Sequence, residues 1–169
     1  MSNLLKIGII TGFVLGAYYV YNNIRKNRVW NESLFDERGR DCVLEEGEIY
    51  VWKACVIRKI DKTETFVYVK LFVPKDAKKV TPLWNNLAYK SRIEYGRIAD
   101  IVDEDDNHYT MAESIIYTDS RTGKPLQYIM GEFVIPNAYN SDINNSCGAG
   151  INVHRHKNHC RQWFACDES

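Results

Sequence analysis

The residues of this chain that could do chemistry are concentrated near its C-terminus. Cysteines and histidines cluster in the segment 147–166. Thiolates and imidazoles are the ligands that zinc prefers, so a tetrahedral zinc site is one interpretation of this segment. The spacing matches none of the standard paired zinc-binding motifs. Coordination of one ion by the adjacent residues His159 and Cys160 would also be strained. In the other interpretation, Cys147 is buried beside a glycine-rich turn and the histidines are solvated. We predict no metal ion and no cofactor, and keep zinc as the alternative. The zinc candidates are Cys147, His154, His156, His159 and Cys160, with Cys166 close behind them.

Two nucleophile pairs are conceivable in the same segment, Cys147 with His154 and Cys160 with His159. A catalytic thiol also needs a group that orients the base and a site for the oxyanion, and the spacing supplies neither. The acidic run 103–106 lacks the alternating ligands of a calcium loop, and no Walker-type phosphate loop is present. We therefore predict that the chain has no catalytic residues and is not an enzyme.

The elements that must position this segment are mainly strands. Residues 48–57 and 65–73 are rich in aromatic and β-branched side chains and are joined by the polar stretch RKIDKTE, which predicts a hairpin. In its second strand the valine and leucine face, from Val67 to Val73, is the better candidate for the core. Further strand patterns follow, and the tail could form one or two helical turns. The sum is an α+β fold, with a mostly antiparallel domain of about five to seven strands.

A membrane anchor is predicted at the N-terminus, where residues 4–21 are apolar except for Lys6 and Thr11. As a helix these residues would reach roughly 27 Å, close to the ~30 Å of a bilayer core. A cleaved signal peptide or a buried helix is the competing interpretation, but no small-x-small cleavage site follows. Three glycines spaced four apart could pack against another transmembrane helix, and three basic residues after the span place the remaining chain in the cytosol. These residues are Gly8, Gly12 and Gly16, and Arg25, Lys26 and Arg28.

The length of 169 residues leaves room for one anchor and one domain. We divide the chain into a transmembrane anchor (1–24), a juxtamembrane linker (25–47) and a β-rich globular domain (48–169). The formal net charge is zero, which gives no electrostatic case for nucleic acid. Five cysteines at irregular spacing do not form a disulfide framework.

Four motifs in a fixed order carry a resemblance. A strand ends in a hook at Pro74, Asp76, Ala77 and Lys78, and a lysine-x-arginine segment follows at Lys90 and Arg92. Tyr128, Gly131 and Glu132 come next, and then Cys147, Gly150 and Ile151. This series, over about residues 48–164, resembles an uncharacterised domain of large double-stranded DNA viruses of algae and amoebae, often found with pentapeptide repeats.

The resemblance implies a structural function in a virion. The family has no assigned activity, and its histidine after the isoleucine is Asn152 here. We expect a minor capsid protein that links the internal membrane to the icosahedral shell. It would lie at the interface of inner membrane and capsid as a single-pass protein with its C-terminal domain facing the capsid. Its partners would be the lipid membrane, other capsid proteins and a further transmembrane helix. The alternative function is a membrane-tethered enzyme or zinc-binding module that uses the segment from Cys147 to Cys166.

Overall fold

In the computed structural model the described residues are 43–82, 90–145 and 147–164, the side chain of Tyr117 excepted. They form nine strands and one 3₁₀ helix. The strands are β1 (Ile49–Arg58), β2 (Glu64–Val73), β3 (Lys79–Val80), β4 (Ser91–Ile93), β5 (Gly96–Val102), β6 (Met111–Asp119), β7 (Lys124–Ile129), β8 (Phe133–Val134) and β9 (Ile151–Val153), and the helix is Lys157–Trp163.

Six strands form the larger sheet, in the order β7-β6-β1-β2-β5-β8. The β1–β2 hairpin is its centre, with ten paired residues on each strand from Ile49↔Val73 to Arg58↔Glu64. The predicted hairpin is thus confirmed. A tight turn at Met130–Glu132 carries the chain from one edge strand to the other, and its backbone bonds to both Thr110 and Ile98. The sheet is therefore curled, with its edges adjacent at one end.

The core lies on the inner face of this curled sheet. Alternation along β2 places the valine and leucine side chains inward, as predicted, and all four are fully buried. The core also takes side chains from most of the other strands and from the N-terminal segment. Its buried members are Leu44, Val51, Cys55, Val67, Val69, Leu71, Val73, Ala77, Ile93, Ile98, Ile101, Ala112, Tyr128, Val134, Ile151 and Val153.

The smaller sheet has the order β3-β4-β9, and its pairing is long-range. Ile93 of β4 pairs with Ile151 of β9, and both side chains enter the core. The two sheets are joined where Trp52 and His154 exchange both backbone hydrogen bonds, each 2.7 Å long. This junction fixes the C-terminal segment against the centre of the larger sheet.

The fold class predicted from the sequence is wrong. Strands make up 47% and helix 6% of the structure, so the fold is mostly antiparallel β-sheet and not α+β. The tail forms a seven-residue 3₁₀ helix, in agreement with the one or two helical turns predicted there, and this short helix is too little for an α+β fold.

No helix in the described ranges is long and apolar enough to cross a bilayer. This finding contradicts the localisation as a single-pass membrane protein at the interface of inner membrane and capsid. The predicted anchor (1–24) lies outside the described residues, and so do its two functional groups. These are the packing glycines Gly8, Gly12 and Gly16 and the flanking Arg25, Lys26 and Arg28.

The acidic loop after β5 is held together by one of its own carboxylates. Asp103 accepts hydrogen bonds from the Asn107 side chain (3.0 Å), the Tyr109 hydroxyl (2.8 Å) and two backbone N–H groups of the loop. These bonds, led by those from Asn107 and Tyr109, lower the pKa of Asp103 to about 2. The Asp103 carboxylate is thus committed to loop structure.

The Asp103 loop predicts a pH dependence of stability. An unfolded aspartate has a pKa of about 3.9, so the folded state binds fewer protons and the stabilisation is complete above about pH 4. It is lost as the pH falls through 2. We expect urea unfolding of Asp103→Asn to show lower stability at pH 7 and a smaller loss between pH 4 and pH 2 than the wild type. Tyr109→Phe, which removes one donor, should give an intermediate slope, and an unchanged slope in Asp103→Asn would contradict this account.

Candidate functional site

Cys147 lies on the loop between β8 and β9 and is an exposed, reduced cysteine. The prediction that it is buried is wrong. Its backbone N–H donates to the Asn145 side chain at 3.0 Å, which forms a local turn. The Lys90 ammonium donates to its sulfur at 3.7 Å. Lys90 itself is only 8% exposed, so a thiol at the surface is backed by an ammonium group with little access to water.

Arg92, two residues further along the chain, anchors the Cys147 loop. Its side chain is fully buried. The guanidinium donates to the backbone carbonyls of Asn140 (3.2 Å), Asn145 (2.5 Å) and Asp142 (2.9 Å). Burial lowers the pKa of Arg92, while nearby Tyr139, Asp142 and Cys147 oppose that effect, and a guanidinium stays protonated at neutral pH. The loop is therefore wrapped around a fixed positive charge.

Two glycines of the loop permit this close approach. A Cβ on Gly148 would come within 3.1 Å of the Arg92 guanidinium carbon and 3.0 Å of Asn140 Cβ. Gly150 has a φ of +136°, in the region that favours glycine, and a Cβ there would meet the Ile93 carbonyl at 3.3 Å. The motif residues Lys90, Arg92, Cys147 and Gly150 are thus neighbours in space.

The remaining zinc candidates do not converge on Cys147. His154 is buried, and its Nε2 accepts a hydrogen bond from the Trp163 indole at 2.7 Å. His156 and His159 contact each other edge to face at 5.3 Å. Cys160 is fully buried, and burial raises its pKa. Within 43–82, 90–145 and 147–164, no group of three or more metal-binding side chains could hold an ion, and Cys166 lies outside these ranges.

The same contacts bear on the two nucleophile pairs. Since His154 Nε2 already accepts from Trp163, that nitrogen is engaged and does not serve as a base for Cys147. Cys160, with its raised pKa, is held as a thiol in an apolar cluster. What contacts the Cys147 sulfur is the Lys90 ammonium and not an imidazole.

A second feature, which the sequence did not reveal, crosses the outer face of the larger sheet. Tyr50 of β1 pairs with Phe72 of β2, Phe72 pairs with Arg97 of β5, and Arg97 pairs with Phe133 of β8. Paired residues of antiparallel strands point to the same face, so these four side chains form one line across four strands. We call Tyr50, Phe72, Arg97 and Phe133 the exposed row. Tyr50 and Phe133 are each 54% exposed.

The 3₁₀ helix and Phe164 cover one side of this outer face. Beyond the row, Phe164 after the 3₁₀ helix stacks on Phe66 at 4.6 Å and meets Tyr68 edge-on at 5.2 Å. The helix thereby buries a second apolar cluster that includes Ala54, Tyr68 and Cys160. The exposed row lies on the other side, which the described residues leave uncovered. We call this side, with the exposed row, Trp52 and Lys70, the open half. The only sequence signal for it was the outward alternation of aromatics in β2, because the row depends on the order of the strands.

Two cations of this open half form no ion pair with a carboxylate of the described residues. Lys70 lies over the rings of Tyr50 (4.9 Å) and Trp52 (5.6 Å). Among the described residues neither Lys70 nor Arg97 takes part in an ion pair, and the Asp100 carboxylate opposite Lys70 lies 2.9 Å from His108 Nδ1. The open half therefore presents aromatic rings with two cations, Lys70 and Arg97, and with Asp100 opposite Lys70.

Comparison with known proteins gives one match. The model of a family of unknown function (DUF5758) matches residues 40–160, well over half of the chain. No curated protein and no solved structure matches. The matched range includes all nine described strands and the Cys147 loop. The chain therefore belongs to the DUF5758 family, whose function is unknown.

Proposed function

We propose that this domain is a protein-binding module of a larger assembly and not an enzyme. In this proposal the exposed row holds the surface of a partner protein. The partner carries carboxylates beside apolar side chains. The assembly that the sequence resemblance indicates is the capsid of a large DNA virus, so the partner would be another capsid protein.

The observation that carries the proposal is the continuity of the row across four strands. Aromatic side chains and arginine are the residues that most often dominate binding energy at protein interfaces. Here two half-exposed aromatic rings flank Phe72 and Arg97, and all four residues lie on hydrogen-bonded strands, so little ordering of the backbone is needed on binding. A row of this kind can act as a preorganised contact surface.

Charge decides the class of partner. Lys70 and Arg97 have no carboxylate partner within the described residues, so carboxylates on another protein would meet cations that are not already neutralised. Single-stranded nucleic acid could also stack on aromatic rings beside cations. The zero net charge of the chain favours the protein partner.

Site-specific photocrosslinking in assembled particles tests the proposal. A photoreactive phenylalanine analogue would replace Tyr50 or Phe133 of this chain in a large DNA virus of the kind that the resemblance indicates, and Ile116 on β6, which is 75% exposed, is the control position. We expect crosslinks from the row, but not from Ile116, to one capsid protein at an acidic segment. Absence of the chain from gradient-purified particles would overturn the proposal, and so would crosslinks only to nucleic acid or to a second copy of this chain.

A matched pair of charge reversals sharpens the test. Arg97→Glu places a negative charge in the row, whereas Lys59→Glu makes the same change in the exposed β1–β2 turn. We expect Arg97→Glu to reduce incorporation into particles by about tenfold or more, as the loss of a binding hot spot does. Lys59→Glu should be incorporated like the wild type. Equal incorporation of the two variants would exclude the row as the contact surface.

A further inference from the structure

We propose that Cys147 is a site of reversible oxidation by hydroperoxides, at which the Lys90 ammonium stabilises both the thiolate and the sulfenate formed from it. This modification site is independent of the exposed row. It rests on the thiol, the ammonium and the Arg92 anchor that holds them together.

The geometry combines access with a fixed cation. Cys147 is exposed, so a small oxidant can reach its sulfur. The Lys90 ammonium at 3.7 Å is mostly buried, and a charge with little hydration attracts a thiolate more strongly than a solvated one. Because Arg92 ties the loop down through three backbone carbonyls, the thiol stays beside the ammonium.

The oxidation step balances with a peroxide as its co-reactant. The thiolate sulfur attacks one peroxide oxygen, a sulfur–oxygen bond forms, and the oxygen–oxygen bond breaks. The departing hydroxide, or the alkoxide where the oxidant is an organic hydroperoxide, takes a proton from solvent and leaves as water or an alcohol. Sulfur is oxidised by two electrons and the peroxide is reduced. In the return step a thiol such as glutathione condenses with the sulfenic acid, which forms a mixed disulfide and releases water, and a second molecule of that thiol then reduces the mixed disulfide, which frees the Cys147 thiol and forms the disulfide of the small thiol.

Two other cysteines of the same chain provide internal controls. Cys55 is fully buried and burial raises its pKa to about 12, while burial also raises the pKa of Cys160. Both remain protonated and shielded at neutral pH, and we expect neither to react in the folded protein. Selectivity among the cysteines is therefore part of the prediction.

The test uses hydrogen peroxide on the full chain at pH 7, with dimedone to trap sulfenic acid and mass spectrometry to assign each cysteine. Cys147 in the folded protein should be labelled roughly threefold to tenfold faster than in the urea-unfolded chain, because a nearby cation raises the thiolate fraction. Lys90→Met should lose this advantage and Lys90→Arg should keep most of it. Lys75→Met, an exposed lysine after β2, is the matched control and should behave like the wild type.

The native-to-unfolded comparison keeps the proposal falsifiable even where Lys90→Met fails to fold. If Cys147 in the folded wild type is labelled no faster than in the unfolded chain, the proposal is overturned. A folded Lys90→Met that is labelled as fast as the wild type overturns it as well. Labelling of Cys55 or Cys160 ahead of Cys147 would show that burial does not select the reactive thiol.

Discussion

Arg92→Met is expected to lower the free energy of unfolding by about 3 kcal/mol, about 1 kcal/mol for each of three lost hydrogen bonds. Methionine has a similar length and is apolar, so packing against the small sheet is largely kept. The variant loses the guanidinium N–H groups that donate hydrogen bonds to three backbone carbonyls of the Cys147 loop. The loop should therefore loosen before the rest of the sheet unfolds.

Hydrogen exchange separates this local effect from global unfolding. The Asn140 N–H, which donates to the Ala149 carbonyl at 2.8 Å across the loop, should exchange much faster in Arg92→Met. Arg97→Met is the matched control, since Arg97 is exposed and such surface changes usually stay within about 0.5 kcal/mol. Unchanged exchange at Asn140 would contradict the anchoring function of Arg92.

The sequence predicted the parts of the fold whose signals are local. Two ten-residue alternating strands joined by a short polar turn specify both a hairpin and its inner face, and β1 and β2 follow that pattern. The smaller sheet carries no such signal, because strands of two or three residues are too short to show a period. Its pairing of Ile93 with Ile151 depends on burial in a shared core, which only the folded chain reveals.

The candidate sites differ from expectation for a related reason. Closeness in sequence suggested that Cys147, His154 and Cys160 could share an ion, but the chain passes from a loop through a strand to a 3₁₀ helix over that segment. Each element directs its side chain to different surroundings, so the three do not converge. Conversely, Lys90 and Cys147 are distant in sequence and meet because β4 pairs with β9.

Leu71→Ala is expected to cost about 2–5 kcal/mol of unfolding free energy, because Leu71 is fully buried and its loss leaves a cavity at the centre of the core. Phe72→Ala, at the next position on β2, should cost about 1 kcal/mol, since its ring lies in the exposed row. Urea unfolding measures both, and incorporation into particles should fall for Phe72→Ala while the protein remains folded. If Phe72→Ala destabilised the isolated chain as strongly as Leu71→Ala, the row would be packed within this chain and would not be a surface that receives a partner.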